Sequence, residues 1–120
     1  MSSLPGISYS RRPLTLILFE HSSCQYCTQS MPLYESLSSM IDRTRMQFVA
    51  ASLEDKEIAY LRRHNVVADF VVHLASVVPY PISGTPTLVI VDNEGKVRHS
   101  WVGLIDERRE QEVKNAILSN

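Results

Sequence analysis

Apolar positions along the chain fall into a few distinct rhythms. Leu14 to Phe19 is a continuous apolar run broken only by Thr15, the pattern of a central strand covered on both faces. Further on, Met31, Tyr34, Leu37 and Ile41 recur at steps of three and four, which predicts a helix with one buried face. Pro32 lies inside that helix and is expected to kink it. Met46 to Ser52 predicts a second strand, with Met46, Phe48 and Ala50 on one side. From about Glu54 to His64 the pattern is again helical, with Ile58 and Leu61 facing inward and Asn65 as its breaker. Val66 to Val78 is almost wholly apolar. It reads as a second helix, with Asp69, His73 and Ser76 on one stripe, although its valines leave a strand open.

Pro79, Pro81 and Gly84 mark a loop. Thr87 to Val91 predicts a strand and Asp92-Asn93-Glu94-Gly95 a turn. In the return strand, Lys96 to Val102, Val97, His99 and Trp101 alternate with Arg98 and Ser100. A last helix should start at an Asp106 N-cap and run to about Leu118, with Val113, Ala116 and Ile117 inward. The expected fold class is therefore α/β. Its central mixed sheet has four strands, or five, and is flanked by helices, with a helical insertion before the Pro86 loop. The first two strands should be parallel because a helix joins them, and the last two antiparallel. Residues 1–13 show no periodicity and read as a loose lead-in to one domain spanning 14–120.

The length of 120 residues fits that one domain, and 44% hydrophobic with 21% charged residues is an ordinary globular mixture. The formal net charge of −1 makes no electrostatic case for nucleic acid or an anionic membrane. No apolar run reaches the roughly 20 residues of a spanning helix. Arg11-Arg12 before the first strand faintly resembles the start of a signal peptide, but the run is short and no small-residue cleavage site follows. The expectation is a cytoplasmic protein or a mature form whose leader is gone.

The chain holds two cysteines, Cys24 and Cys27, and no others. A bridge across three residues closes so small a loop that it adds little stability, so chemistry explains the pair better than structure does. The motif falls between a buried strand and a helix. Unpaired N–H groups and the macrodipole at a helix N-terminus favour a thiolate, the form that attacks disulfides. Cys24 is the expected nucleophile, and Cys27, one turn further in, the expected resolving thiol. Two incidental small apolar residues are the bland alternative. A metal site using His21 is another, but structural zinc takes four ligands, and His64, His73 and His99 are scattered. No metal and no cofactor are expected.

In this order the parts resemble the thioredoxin superfamily. An apolar strand leads into Cys24-Gln25-Tyr26-Cys27, Pro32 follows five residues after the second cysteine, and Gly84-Thr85-Pro86-Thr87 opens a strand. Val102-Gly103 ends the hairpin and a terminal helix closes the fold, so the resemblance covers roughly residues 14–118. It implies a thioredoxin fold, a cis Thr85–Pro86 bond, and a loop beside Cys24 where Thr85, Pro86 and Tyr26 meet an extended substrate segment. Met31-Pro32 and the stretch from Ser83 to Lys96 are most similar to TlpA-type, periplasmic members. That favours the bacterial periplasm and a reducing role. There are two departures. Leu18 stands where thioredoxin has its buried, proton-transferring aspartate, and Glu20 is the nearby substitute candidate. The chain is also longer between Cys27 and Pro86, with 66–78 as the insertion, either core or an exposed partner surface.

The expected function is a thiol–disulfide oxidoreductase acting on protein disulfides, with a second redox partner to recycle it. The alternative is a non-catalytic binding module whose cysteines sense redox state.

Overall fold

The computed structural model describes residues 7–20, 25–52, 57–73 and 86–118. Five strands form one sheet in the order β3-β2-β1-β4-β5. They are β1 (Leu14–Glu20), β2 (Met46–Ser52), β3 (Phe70–His73), β4 (Thr87–Asp92) and β5 (Val97–Val102). Four helices accompany them: α1 (Gln25–Gln29), α2 (Met31–Met40), α3 (Glu57–Arg63) and α4 (Glu107–Leu118). As expected, β1 and β2 are parallel, and β4 and β5 antiparallel. β4 also runs antiparallel to β1, so the sheet is mixed.

The unbroken apolar run of β1 is explained by its place at the centre of the sheet. Leu16 and Leu18 face one core, together with Phe48, Ala50, Leu88 and Ile90, under residues of α2, α3 and α4. Ile17 and Phe19 face the other, with Val49, Ala51, Val89 and Val91. The face assigned to Met46, Phe48 and Ala50 is the observed one. Met31, Tyr34, Leu37 and Ile41 are all buried, as are Val113, Ala116 and Ile117. Asp106 caps α4, its Oδ1 accepting from the Arg109 N–H at 2.9 Å. Leu61 is buried on α3, while the side chain of Ile58 lies outside the described residues.

Four expectations are corrected. The helix after the cysteines is two helices with Ser30 between them, not one kinked rod. Pro32 sits in the first turn of α2, where its missing N–H and fixed φ are tolerated.

The stretch from Val66 is not helical where it is described. α3 ends at Arg63, and Asn65 just beyond it has a left-handed φ of 58°. The Val66 N–H reaches the Leu61 carbonyl and the Asn65 N–H that of Arg62, closing the helix in a Schellman arrangement. Phe70–His73 then pairs parallel with β2. The valines permit this, because β-branched chains fit a pleated surface and β2 leaves an edge to be filled. Asp69 and His73 do not share a helical stripe. Asp69 binds Arg43 at 2.9 Å and accepts the Phe48 N–H at 2.8 Å. Val66 and Val72 are buried while Val67 and Val71 are exposed, so this part is a half-buried edge. Residues 74–78 of the proposed insertion lie outside the described residues.

The segment before β1 is not loose over residues 7–13. Ile7 and Tyr9 are buried in the second core, and Tyr9–Arg11 forms a 3-10 turn. Thr15, the one polar residue in the apolar run, faces Gln47 on β2. Gln47 Nε2 donates to Thr15 Oγ1 and to the Ser8 carbonyl, both at 2.9 Å.

Finally, a register irregularity at Ile90/Val91 sets Val97 against Val91 but His99 against Ile90. Val97 therefore lies on the opposite face from His99 and Trp101, which stack with ring centroids 5.7 Å apart. Gly95, with φ of 85°, closes the hairpin turn. Asp92 organises it, accepting the Lys96 and Glu94 N–H groups and Arg98 Nε. The Lys96 N–H above all, then Glu94 and Arg98, holds its carboxyl below the usual aspartate range, with desolvation opposing.

Candidate functional site

β1, β2 and β3 run parallel, so their C-terminal ends meet at one end of the sheet. Glu20 is level with Ser52, and Ser52 with His73. β4 runs the other way, with Thr87 opposite Phe19, so Pro86 arrives at this same end. So does Gly103, whose N–H donates to the Pro86 carbonyl at 2.8 Å. Gly103 has φ of +84°, a region that side-chain-bearing residues seldom adopt. The chain leaving β1 continues after four residues into α1. Ligand sites in open α/β sheets gather outside the carboxyl ends of such strands.

Cys27 is the third residue of α1, is fully buried, and does not stand as a free thiol. Tyr26, next to it, is half exposed. Pro86 is buried in the bend before β4. Glu20 is buried at the end of β1, not solvated as strand-end carboxylates usually are. Cys24 and Thr85 lie outside the described residues, and with them the Thr85–Pro86 bond. The fold thus brings Cys27, Glu20 and Pro86 to one end of the sheet.

A polar cluster beneath α1 escapes sequence reasoning. Thr28 Oγ1 and the Tyr60 hydroxyl are 2.7 Å apart, tying α1 to α3. Ser30 Oγ donates to the Tyr26 carbonyl at 2.8 Å, and the Ser30 N–H is shared between the Tyr26 and Cys27 carbonyls. Ser30 thereby closes α1 just ahead of Pro32, which cannot donate to the Thr28 carbonyl. Tyr34 is wholly buried on α2. Burial pushes its hydroxyl far above the ordinary tyrosine value, and the Glu20 and Tyr60 charges add to this while the nearby Ser30 hydroxyl opposes it. Tyr34 is legible from the helical period as a core residue. The hydroxyls of Thr28, Ser30 and Tyr60 carry no sequence signal, because their meeting depends on how α1, α2 and α3 pack. Among the described residues no cluster of three or more His, Cys, Asp or Glu could hold a metal ion.

Comparison with known proteins agrees with this geometry. The profile of the thioredoxin-like domain matches residues 7–116, and the chain belongs to that family. A Chlorobium tepidum protein described as a thiol:disulfide interchange protein of DsbE type superimposes with a TM-score of 0.71 at 25% identity, covering 92% of this chain and 81% of its own. A thiol:disulfide interchange protein from Bacteroides gives 0.71 at 15% identity, with 92% and 76% covered. The exposed lipoprotein thioredoxin Etrx1 of Streptococcus pneumoniae gives 0.64 at 14% identity, with 93% and 87% covered. No curated protein matches the chain by sequence. The family and these neighbours support the thiol–disulfide oxidoreductase class.

Proposed function

We propose that this protein is a dithiol reductant of protein disulfides, using Cys24 as nucleophile and Cys27 as resolving thiol. The observation that carries the reading is the burial of Cys27 on α1 at the sheet end where Pro86 and Glu20 also arrive. Cys24 directly precedes α1 in sequence, the side on which helix N–H groups stabilise a thiolate. It attacks one sulfur of the substrate disulfide and the other leaves as a thiolate. Cys27 then attacks Cys24, freeing the second substrate thiol and leaving Cys24–Cys27 oxidised. Two electrons pass to the substrate, and a partner thiol restores the dithiol. Cys27 must lose its proton to attack, and Glu20 accepts it. Thr85, Pro86 and Tyr26 form the rim on which an extended substrate segment lies. The proposed compartment lies outside the cytoplasm, as the TlpA-type resemblance implies and the lipoprotein neighbour supports.

The test is Cys27→Ser. This variant should arrest the reaction as mixed disulfides between Cys24 and substrate proteins, resolved by mass spectrometry. Wild type should reduce insulin, and its potential against glutathione should fall on the reducing side. No trapped adduct together with no insulin reduction would leave a redox-sensing module as the better reading. A potential near the oxidising extreme would reverse the direction of electron flow.

A further inference from the structure

The net charge of −1 conceals an uneven distribution. The end of the sheet opposite the cysteines is built from the N-terminal ends of β1 and β2, the approach to β3 and the β4–β5 turn. Here stand Arg11, Arg12, Arg43, Arg45, Lys96 and Arg98, against Asp42, Asp69, Asp92 and Glu94. That is a surplus of two positive charges, so the rest of the chain holds a surplus of three negative ones.

Pairing sharpens the contrast. Asp69 is bonded to Arg43, Asp92 to Arg98, and Glu94 lies 3.7 Å from Lys96. Asp42 bonds Thr44 through its carboxylate and also feels the Arg45 charge, although it forms no close ion pair with it. Among the described residues no carboxylate forms an ion pair with Arg11, Arg12 or Arg45. Two recesses open at this pole. One is lined by Arg11, Arg12 and Arg43 with Asp69 already bonded to Arg43, the other by Pro13, Arg45, Arg98 and His99 with Asp92 already bonded to Arg98. Val67 and Val97 are exposed beside them, at 65% and 47%. Arg11 lies 5.0 Å over the Phe70 ring, so the one aromatic in these recesses besides His99 is covered by a cation.

We propose that this pole docks on an anionic lipid surface, with the phosphate headgroups meeting Arg11, Arg12 and Arg45 and the redox end facing away. The arginines form a spread collar with exposed valines between them and no enclosed pocket, which suits a diffuse charged plane. A protein hot spot wants packed aromatic anchors, and single-stranded nucleic acid wants open rings for stacking; neither is present at this pole among the described residues. Each arginine near such a surface strengthens binding about fivefold at low salt, so three together give on the order of a hundredfold. The negative remainder is repelled by the same surface, which orients the molecule.

Cosedimentation of the full chain with vesicles tests this. Wild type should bind phosphatidylcholine–phosphatidylglycerol vesicles and not phosphatidylcholine alone, and salt should release it as the screening length shortens. Arg11→Gln with Arg45→Gln should lower partitioning more than tenfold. Arg11→Lys with Arg45→Lys, which keeps the charge, should retain it. These pairs spare Arg12 and Arg43, whose side chains hold backbone carbonyls. Equal binding to neutral vesicles, no binding to anionic ones, or unchanged binding by the glutamine pair would each overturn the proposal. So would tighter binding to polyglutamate or single-stranded DNA than to the vesicles at matched salt. Insulin reduction reports separately on the cysteine chemistry and has no bearing on this outcome.

Discussion

Leu18 and Glu20 are two residues apart on β1 and so share a face, the one covered by α2. Glu20, the group proposed to stand in for thioredoxin's aspartate, therefore lies one pleat further toward the cysteines. It is level with Ser52 on β2, and its charge is felt at the Tyr34 hydroxyl. In the proposed reaction Glu20→Gln leaves the first attack intact and slows the second. The expected result is a fall in insulin-reduction kcat of about a hundredfold, the usual scale for a positioned acid–base group, with mixed disulfide accumulating in single turnover. The sign with pH separates this from a structural effect. The variant's deficit should shrink as pH rises and Cys27 ionises without help. A deficit equal at all pH values would remove Glu20 from the proton path. The cysteines were legible because their spacing has almost no structural use. Burial of Glu20 was not, since a strand's last residue usually reaches water, and only tertiary packing decides otherwise.

Among the elements, β3 departs most from the local pattern. An apolar, valine-rich stretch fits a buried helix and a sheet edge equally well, and its length does not discriminate. The deciding group is Asp69, which looks like a solvated polar residue in sequence. Its carboxylate instead bonds both Arg43 and the Phe48 N–H, while its own N–H bonds the Phe48 carbonyl. β3 is thereby pinned at the level of Phe48 before its first ladder pair, Val49 with Phe70. Asp69→Ala should cost about 1–3 kcal/mol, since it strips the partner from a backbone donor as well as from Arg43. Urea denaturation should show a lower midpoint at unchanged slope, and hydrogen exchange should show β3 amides opening first. Unchanged protection in β3 would assign the strand's position to its valines alone. The remaining strands and α4 were readable within a residue or two. β1, β2, β4 and α4 have clear periods and caps, and the break between α1 and α2 was missed only because proline signals a kink and a helix start alike.

At the scale of the whole molecule, the two faces of the sheet are buried by different means. One is covered by three helices. On the other, the described cover is the N-terminal segment, with Ile7 and Tyr9 in the core and Ser8 accepting from Gln47. No periodicity marks that segment, because so short a stretch, with only Ile7 and Tyr9 buried, has no repeat to display. The physical signal was indirect: Thr15 and Gln47 are polar residues in strands otherwise buried on both sides, and such groups need a partner. They find each other and the Ser8 carbonyl. A chain starting at Leu14 would retain every strand, every helix and both cysteines, yet lose the burial of Ile7 and Tyr9. At about 1.5–3 kcal/mol for each side chain and about 1 kcal/mol for the hydrogen bond, the loss is on the order of 5 kcal/mol. That rivals the whole stability of a small domain, about 5–15 kcal/mol. The truncated chain should therefore unfold at much lower urea than the full one. If its midpoint matched the full chain, the buried contacts of Ile7 and Tyr9 would be incidental and residues 1–13 a mere lead-in. A milder pair, Ile7→Ala with Tyr9→Ala in the full chain, should lose most of the same stability while keeping the Arg11 and Arg12 pole intact. Packing of the second face and charge at the distal pole can then be read separately, although both reside in the same seven residues before β1.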